Sequence, residues 1–238
     1  MTQTKPRTRT QLRPIRLRRH FTRVAPGSVL MEMGNTKVLC TASWESGVPA
    51  WRKDSGLGWV TAEYSMLPGS TSPRKTRPRN GYTDSRGLEI QRLIGRVLRA
   101  VVNFEILGAN TIVLDCDVVQ ADGGTRTAAI NGSFVALTDA VRYALKQKCI
   151  TENPITQRVA AVSVGLVEGK PVLDLDYERD SVAEVDMNVA MTEAGQFVEI
   201  QGCAERIPFS LEQLDTLLIL ARKGIKQIFK VYDKVQGR

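Results

Sequence analysis

The stretch TIVLDCDVVQADGGTRT, residues 111–127, decides how this chain is built. Its first half alternates: Ile112, Leu114, Cys116 and Val118 fall on one face of a strand, Asp115 and Asp117 on the other. Ala121-Asp122-Gly123-Gly124 then makes a turn, and from Thr125 the residues Ile130, Phe134, Leu137, Val141 and Leu145 mark the apolar stripe of a helix. Two adjacent glycines let a backbone turn tightly and approach a ligand. A helix start presents free N–H groups that favour an anion. Thr125 and Thr127 add hydroxyls, and Arg126 adds a planar fork matched to phosphate oxygens. The GxxxxGK[ST] spacing of a P-loop is absent. The same pattern also describes a plain strand–turn–helix with Thr125 as N-cap.

Upstream, Ile90, Leu93, Ile94, Val97, Leu98 and Val101 repeat at helical spacing, so a helix is expected from Leu88, with Arg92, Arg96 and Arg99 as a stripe on its other side. Arg86 stands just before it, a second arginine near a helix start. Residues 68–87 are rich in Pro, Gly and polar side chains and read as a loop too long to be a mere connector. Leu57–Tyr64 reads as a strand, and Ser28–Met33 with Thr36–Ala42 as a hairpin turning at Gly34-Asn35. Downstream, Arg158–Val167 and Pro171–Tyr177 flank Glu168-Gly169-Lys170 as another hairpin, followed by strands at Val185–Met191 and Phe197–Gln201. Ser210 and Gln213 form a capping box that opens a long C-terminal helix. Each half holds hairpins and a long helix, which hints at duplication. The expected architecture is one α/β domain over 1–238, with mixed sheets and packed helices.

The charge is uneven. The net value is +8, and residues 1–23 alone carry eight Lys and Arg with no acid. Residues 74–99 add eight basic side chains against Asp84 and Glu89. A basic arm and a basic loop on an otherwise acidic body suggest a polyanion partner, since phosphates release counterions on binding such surfaces. A solvated arm and loop is the plainer reading.

The single histidine, His20, lies in the arm, which removes most Ser-His-Asp and Cys-His chemistry. Cys40, Cys116, Cys149 and Cys203 are widely spaced in apolar runs, so reduced, buried thiols in a cytoplasmic protein are expected, without a zinc centre. No membrane span or apolar signal core is present.

One acidic cluster remains. Asp174, Asp176 and Glu178 would share a strand face, and a turn through Ser181-Val182-Ala183 could bring Asp180 beside Asp186. Paired carboxylates stay charged only near a cation or solvent. Mg²⁺ takes one or two of them together with waters and phosphate oxygens. Arginines for phosphate, carboxylates for a metal or a proton, and basic segments for a polyanion together fit phosphoryl-type transfer on nucleic acid, with water or bound phosphate as nucleophile.

Four stretches carry a resemblance: Gly58–Pro68, Glu89–Arg96, Asp115–Val118 and Gln120–Ala128. They are similar to those of bacterial ribonuclease PH, in register from about Leu12 to the last helix. The resemblance implies a ribosomal-S5-domain-2-like fold and a 3′-to-5′ phosphorolytic exoribonuclease. Such an enzyme trims tRNA precursors with inorganic phosphate, releases nucleoside diphosphates, adds nucleotides in reverse, and works as a homo-oligomeric ring, usually a trimer of dimers. By the family motif, Arg86, Gly124, Thr125 and Arg126 would bind phosphate. Asp180 and Asp186 would serve Mg²⁺ and acid catalysis. Arg74, Arg77, Arg92 and Arg96 would serve RNA or subunit contacts. This sequence departs from the family at Arg179, where an acid is common, at Cys203, which replaces Thr or Ser, and in the more basic arm before Leu12-Arg13-Pro14. Two rivals remain: a ring subunit of the same fold that binds RNA without cutting it, and a hydrolytic nuclease.

Overall fold

A computed structural model of the chain describes residues 7–77, 84–205 and 207–237. Part of the expected basic loop, with Arg79, and Lys5 of the arm lie outside the described residues. Nine strands, β1 Ile15–Arg19, β2 Gly27–Met33, β3 Thr36–Ser46, β4 Trp59–Met66, β5 Asn110–Gln120, β6 Val159–Val167, β7 Lys170–Leu173, β8 Val185–Thr192 and β9 Phe197–Ala204, form two sheets among the described residues. Five α-helices accompany them: α1 Ser85–Arg99, α2 Phe104–Leu107, α3 Thr125–Lys146, α4 Tyr177–Asp180 and α5 Leu211–Gln236.

The first sheet runs β1-β2-β3-β5-β4, antiparallel except for the parallel pair β4/β5. The second runs β7-β6-β8-β9 and is antiparallel throughout. Mixed sheets with packed helices are thus present as expected. Helix α3 lies between the sheets, against β2, β3 and β5 on one side and β6 on the other. A simple apolar stripe would leave one side wet. Instead α3 is buried nearly all round, including Asn131, Ser133 and Asp139. The burial of Asn131 is possible because its amide is satisfied: it accepts from Ala161 N at 2.8 Å and donates to Ala161 O at 2.8 Å. Gly132 sets the approach to β3, since a Cβ there would meet Cys40 Sγ at 2.6 Å.

Helix α1 packs on β4, and α5 covers β6 and β7. The capping box of Ser210 with Gln213 is formed. Three local expectations are corrected. Helix α1 begins at Ser85, three residues before Leu88, because Asp84 caps it by accepting from Gly87 N at 3.1 Å. This places Arg86 inside the first turn. Strand β7 ends at Leu173, not Tyr177, because Asp174 takes a left-handed conformation (φ 58°) and breaks the alternation. Asp174, Asp176 and Glu178 therefore share no strand face. Finally, only Cys40 and Cys116 are buried; Cys149 and Cys203 are exposed, and all four are free thiols. Strand β1 is legible only in retrospect, since IRLRR alternates but is dominated by charge.

Candidate active site

The turn between β5 and α3 is held from behind. Gly123 and Gly124 both adopt positive φ, 71° and 65°, which side chains with a Cβ rarely do. Neither could carry a Cβ: at Gly123 it would lie 2.6 Å from the backbone of Leu175 and Asp176, at Gly124 2.8 Å from a guanidinium nitrogen of Arg13. The Thr36 hydroxyl accepts from Asp122 N at 3.0 Å and donates to Gly123 O at 2.7 Å. The N-cap of α3 is Gly124, not Thr125. Thr125 is the first helical residue, and its hydroxyl accepts from the buried Tyr64 hydroxyl at 2.9 Å. Burial pushes that phenol up to about 12, so it stays protonated at neutral pH.

This turn opens into a cavity of about 720 Å³. Gly123, Gly124, Thr125, Arg126, Arg86, Asp180 and Asp186 all line it, together with Arg74 and Lys75 of the basic loop, and Arg86 and Arg126 are near enough to Asp180 and Asp186 to favour their charged forms. Arg126 is held by Glu89, whose Oε2 accepts from its Nη2 at 2.9 Å, while Gln201 steadies the other Glu89 oxygen at 2.9 Å. Arg126 Nε is buried without a hydrogen-bond partner among the described residues. Arg86 is exposed and makes no ion pair among the described residues.

Asp180 closes α4 and Asp186 follows the start of β8, so the turn between them does bring the two carboxyls together. Burial raises Asp180 above the usual carboxylate range, and the neighbouring Asp186 adds to the rise. Burial also raises Asp186, with Glu205 adding repulsion. Asp186 Oδ1 is buried without a hydrogen-bond partner among the described residues. No cluster of three or more metal-ligating side chains occurs among the described residues. Two carboxylates with an open oxygen still fit Mg²⁺, which completes its shell with water and phosphate oxygens. The cavity thus gathers two guanidiniums, a helix tip and two crowded carboxyls.

The remaining basic residues divide. Arg74 lines the cavity, whereas Arg77, Arg92 and Arg96 do not. Arg96 is engaged by Glu199 through paired hydrogen bonds of 2.8 and 2.9 Å. The N-terminal segment is not a solvated arm where it is described. Arg7 pairs with Asp174 and Asp176, Arg9 with Glu168, Arg13 with Asp174, Arg18 with Glu32 and Arg19 with Asp139. Sequence reading overlooked Arg13, Thr36, Tyr64, Glu89 and Gln201. Of these, Arg13 in Leu12-Arg13-Pro14, Tyr64 in Gly58–Pro68 and Glu89 in Glu89–Arg96 lay in stretches that carried a signal. No helix among the described residues is long and apolar enough to cross a membrane.

Comparison with known proteins extends the geometry. Residues 11–142 match the model of the 3′ exoribonuclease family, domain 1, and residues 157–224 match domain 2. The fold is shared with rice (Oryza sativa) Rrp46 (18% identity, TM-score 0.76, covering 94% of this chain and 95% of that one). It is also shared with a chain of the Archaeoglobus fulgidus exosome with RNA bound to the active site (17% identity, TM-score 0.81, 95% and 91%). A chain of an archaeal exosome core is similar too (18% identity, TM-score 0.77, 95% and 89%). With both domain models matched in order along most of its length, the chain belongs to the 3′ exoribonuclease family.

Proposed function

We propose that the protein is a phosphorolytic 3′-to-5′ exoribonuclease of the bacterial ribonuclease PH type, which trims tRNA precursors and releases nucleoside diphosphates. The observation that carries this reading is that Arg86, Arg126 and the α3 tip line one cavity together with Asp180 and Asp186. Inorganic phosphate fits the basic groups. The N–H groups at the start of α3 and two guanidinium forks supply donors for its oxygens. Arg126 is already aimed by Glu89, so little reorganisation is needed when the anion arrives. The terminal phosphodiester of the RNA would then lie between the phosphate and the carboxyls. A phosphate oxygen attacks the terminal phosphorus, the bond to the 3′ oxygen breaks, and a nucleoside diphosphate leaves. One carboxyl of the Asp180/Asp186 pair, with its proton affinity raised by burial and by its neighbour, delivers a proton to the leaving 3′ oxygen. Asp180 and Asp186 would also hold Mg²⁺, which supplies charge screening between the two anions. The reverse reaction, nucleotide addition, follows from microscopic reversibility. Arg74, which lines the cavity, would meet the incoming strand, and the exposed Arg77 and Arg92 would serve RNA or a neighbouring subunit in a homo-oligomeric ring.

The second reading is a ring subunit of the same fold that binds RNA without cutting it. Its support is the likeness to exosome chains. Incubation with a tRNA precursor, with and without inorganic phosphate, decides among the readings. Nucleoside diphosphates appearing only with phosphate support the enzyme; intact RNA in both supports the binding subunit; monophosphates without phosphate support hydrolysis.

A further inference from the structure

We infer that the N-terminal segment 7–13 is a positioning strap for the active site: Arg13 and Arg7, through the buried Asp174 and Asp176, set the phosphate-holding turn and the carboxylate-bearing helix α4 relative to each other. This deepens the proposed phosphorolytic reading and rests on it. The central pair is fully interior. Asp174 is 0% exposed and Arg13 6%. Asp174 Oδ2 accepts from Arg13 N at 2.7 Å and from Nε at 3.0 Å, and Oδ1 accepts from Nη2 at 2.6 Å. The same guanidinium donates to the carbonyls of Asp122, at 2.5 Å, and Gly123, at 3.3 Å.

Those two carbonyls matter because of peptide geometry. Each peptide unit is planar and trans, so fixing a carbonyl on one side sends the following N–H to the other. Drawing Asp122 O and Gly123 O toward Arg13 turns the N–H groups of Gly123 and Gly124 away from it. Both glycines line the cavity. Glycines have no side chain to hold this orientation, and Arg13 with Thr36 does so instead.

Arg7 makes the second half of the strap. Its Nη2 donates to Asp176 Oδ2 at 2.7 Å and its Nη1 to Asp174 O at 2.8 Å. Asp176 caps α4 by accepting from Arg179 N at 3.1 Å, and α4 ends on Asp180. Arg179, the departure from the family pattern, donates to Arg7 O at 3.1 Å. Buried ion pairs contribute little net stability compared with apolar packing. What this one supplies is a fixed geometry for the turn and for α4 at once.

The test compares Arg13→Met, Arg13→Lys and the control Arg9→Gln in the full chain. Two readouts are taken: the KM for inorganic phosphate against the KM for RNA, and the rise in melting temperature on adding inorganic phosphate. Loss of a group that orients ligand-binding atoms typically costs about 10–100-fold. The strap therefore predicts a rise in phosphate KM of about tenfold or more for Arg13→Met, with RNA KM changed less than twofold. It also predicts a partial rise for Arg13→Lys, whose single ammonium replaces the fork incompletely, and none for Arg9→Gln. The phosphate-induced melting shift weakens in parallel. If Arg13→Met does not fold, Arg13→Lys gives the reading. Unchanged phosphate KM in folded Arg13 variants overturns the strap, as does a selective rise in RNA KM, which would make the segment an RNA arm. If the unaltered protein neither releases nucleoside diphosphates nor is stabilised by phosphate, the phosphorolytic reading itself fails.

Discussion

Two arginine-rich segments that look alike in sequence have opposite fates in the fold. Residues 7–19 spend most of their cations on the protein's own acids: Arg7, Arg9, Arg13, Arg18 and Arg19 each meet a carboxylate, while the exposed Arg16 makes no ion pair among the described residues. In the second segment, Arg74, Arg77, Arg86 and Arg92 make no ion pair among the described residues, whereas Lys75 meets Asp84, Arg96 meets Glu199, and Arg99 donates to Val60 O and lies over the Trp59 ring. The difference teaches that net charge counts cations without saying whether the protein's own acids have already claimed them. The acidic surplus outside the two segments is not a general repellent surface. Part of it, Asp139, Asp174 and Asp176, is the counter-charge of the N-terminal strand and the segment before it.

This contrast can be broken most severely at Asp174. Asp174→Ala leaves Arg13 buried without its carboxylate and is expected to destabilise the fold by about 3–5 kcal/mol, read by chemical denaturation, whereas Arg77→Ala should stay within about 0.5 kcal/mol. At the other pole, Arg126→Ala should lower phosphate-dependent turnover by about 10²–10³ while largely keeping RNA binding, because it removes a charged donor to the reacting phosphate. Equal turnover would reject its assignment. A smaller change is expected from Glu89→Gln, which keeps the shape but loosens the hold on Arg126. Phosphate KM should rise by about tenfold, and RNA affinity measured by filter binding should hold.

A fourth outcome concerns pH. Asp186 titrates above the ordinary carboxylate range in the folded state, through burial first and Glu205 second. Its ionisation therefore costs stability above that raised range and costs nothing below the ordinary one. Asp186→Asn should raise the melting temperature by a few degrees at neutral pH in chelator. The gain should shrink as pH falls through the raised range, and activity should be lost. A melting temperature that fell at neutral pH would contradict the crowding of the carboxyls. The smallest effect is expected for Arg77→Ala or Arg92→Ala, each lowering the salt slope of RNA binding by about one if it touches a phosphate.

Much of this was legible along the chain. The alternation at 111–119, the turn at Asp122-Gly123-Gly124 and the apolar spacing from Ile90 and Ile130 located β5, α1 and α3 to within a few residues. The pairing of Asp180 with Asp186 was visible because a short turn joins them. Less legible were features in which one residue abandons its local pattern. Asp174 looked like one member of an alternating acidic strand, but its left-handed backbone and buried ion pair are set by Arg13, 161 positions away. Cys149 and Cys203 face outward because their neighbours are polar: Cys149 follows Lys146-Gln147-Lys148 at the end of α3, and Cys203 lies between Gln201 and Glu205 on the edge strand β9.

The sequence by itself determined the elements and the local chemistry of the turn, because periodicity, glycine pairs and capping residues act over a few positions. Only the tertiary structure decided which guanidiniums are neutralised and which stay open. Coulomb attraction and desolvation depend on distance in space, and the partners of Arg7, Arg13 and Arg19 are brought within reach only when β1 and the turn before it close against the two sheets.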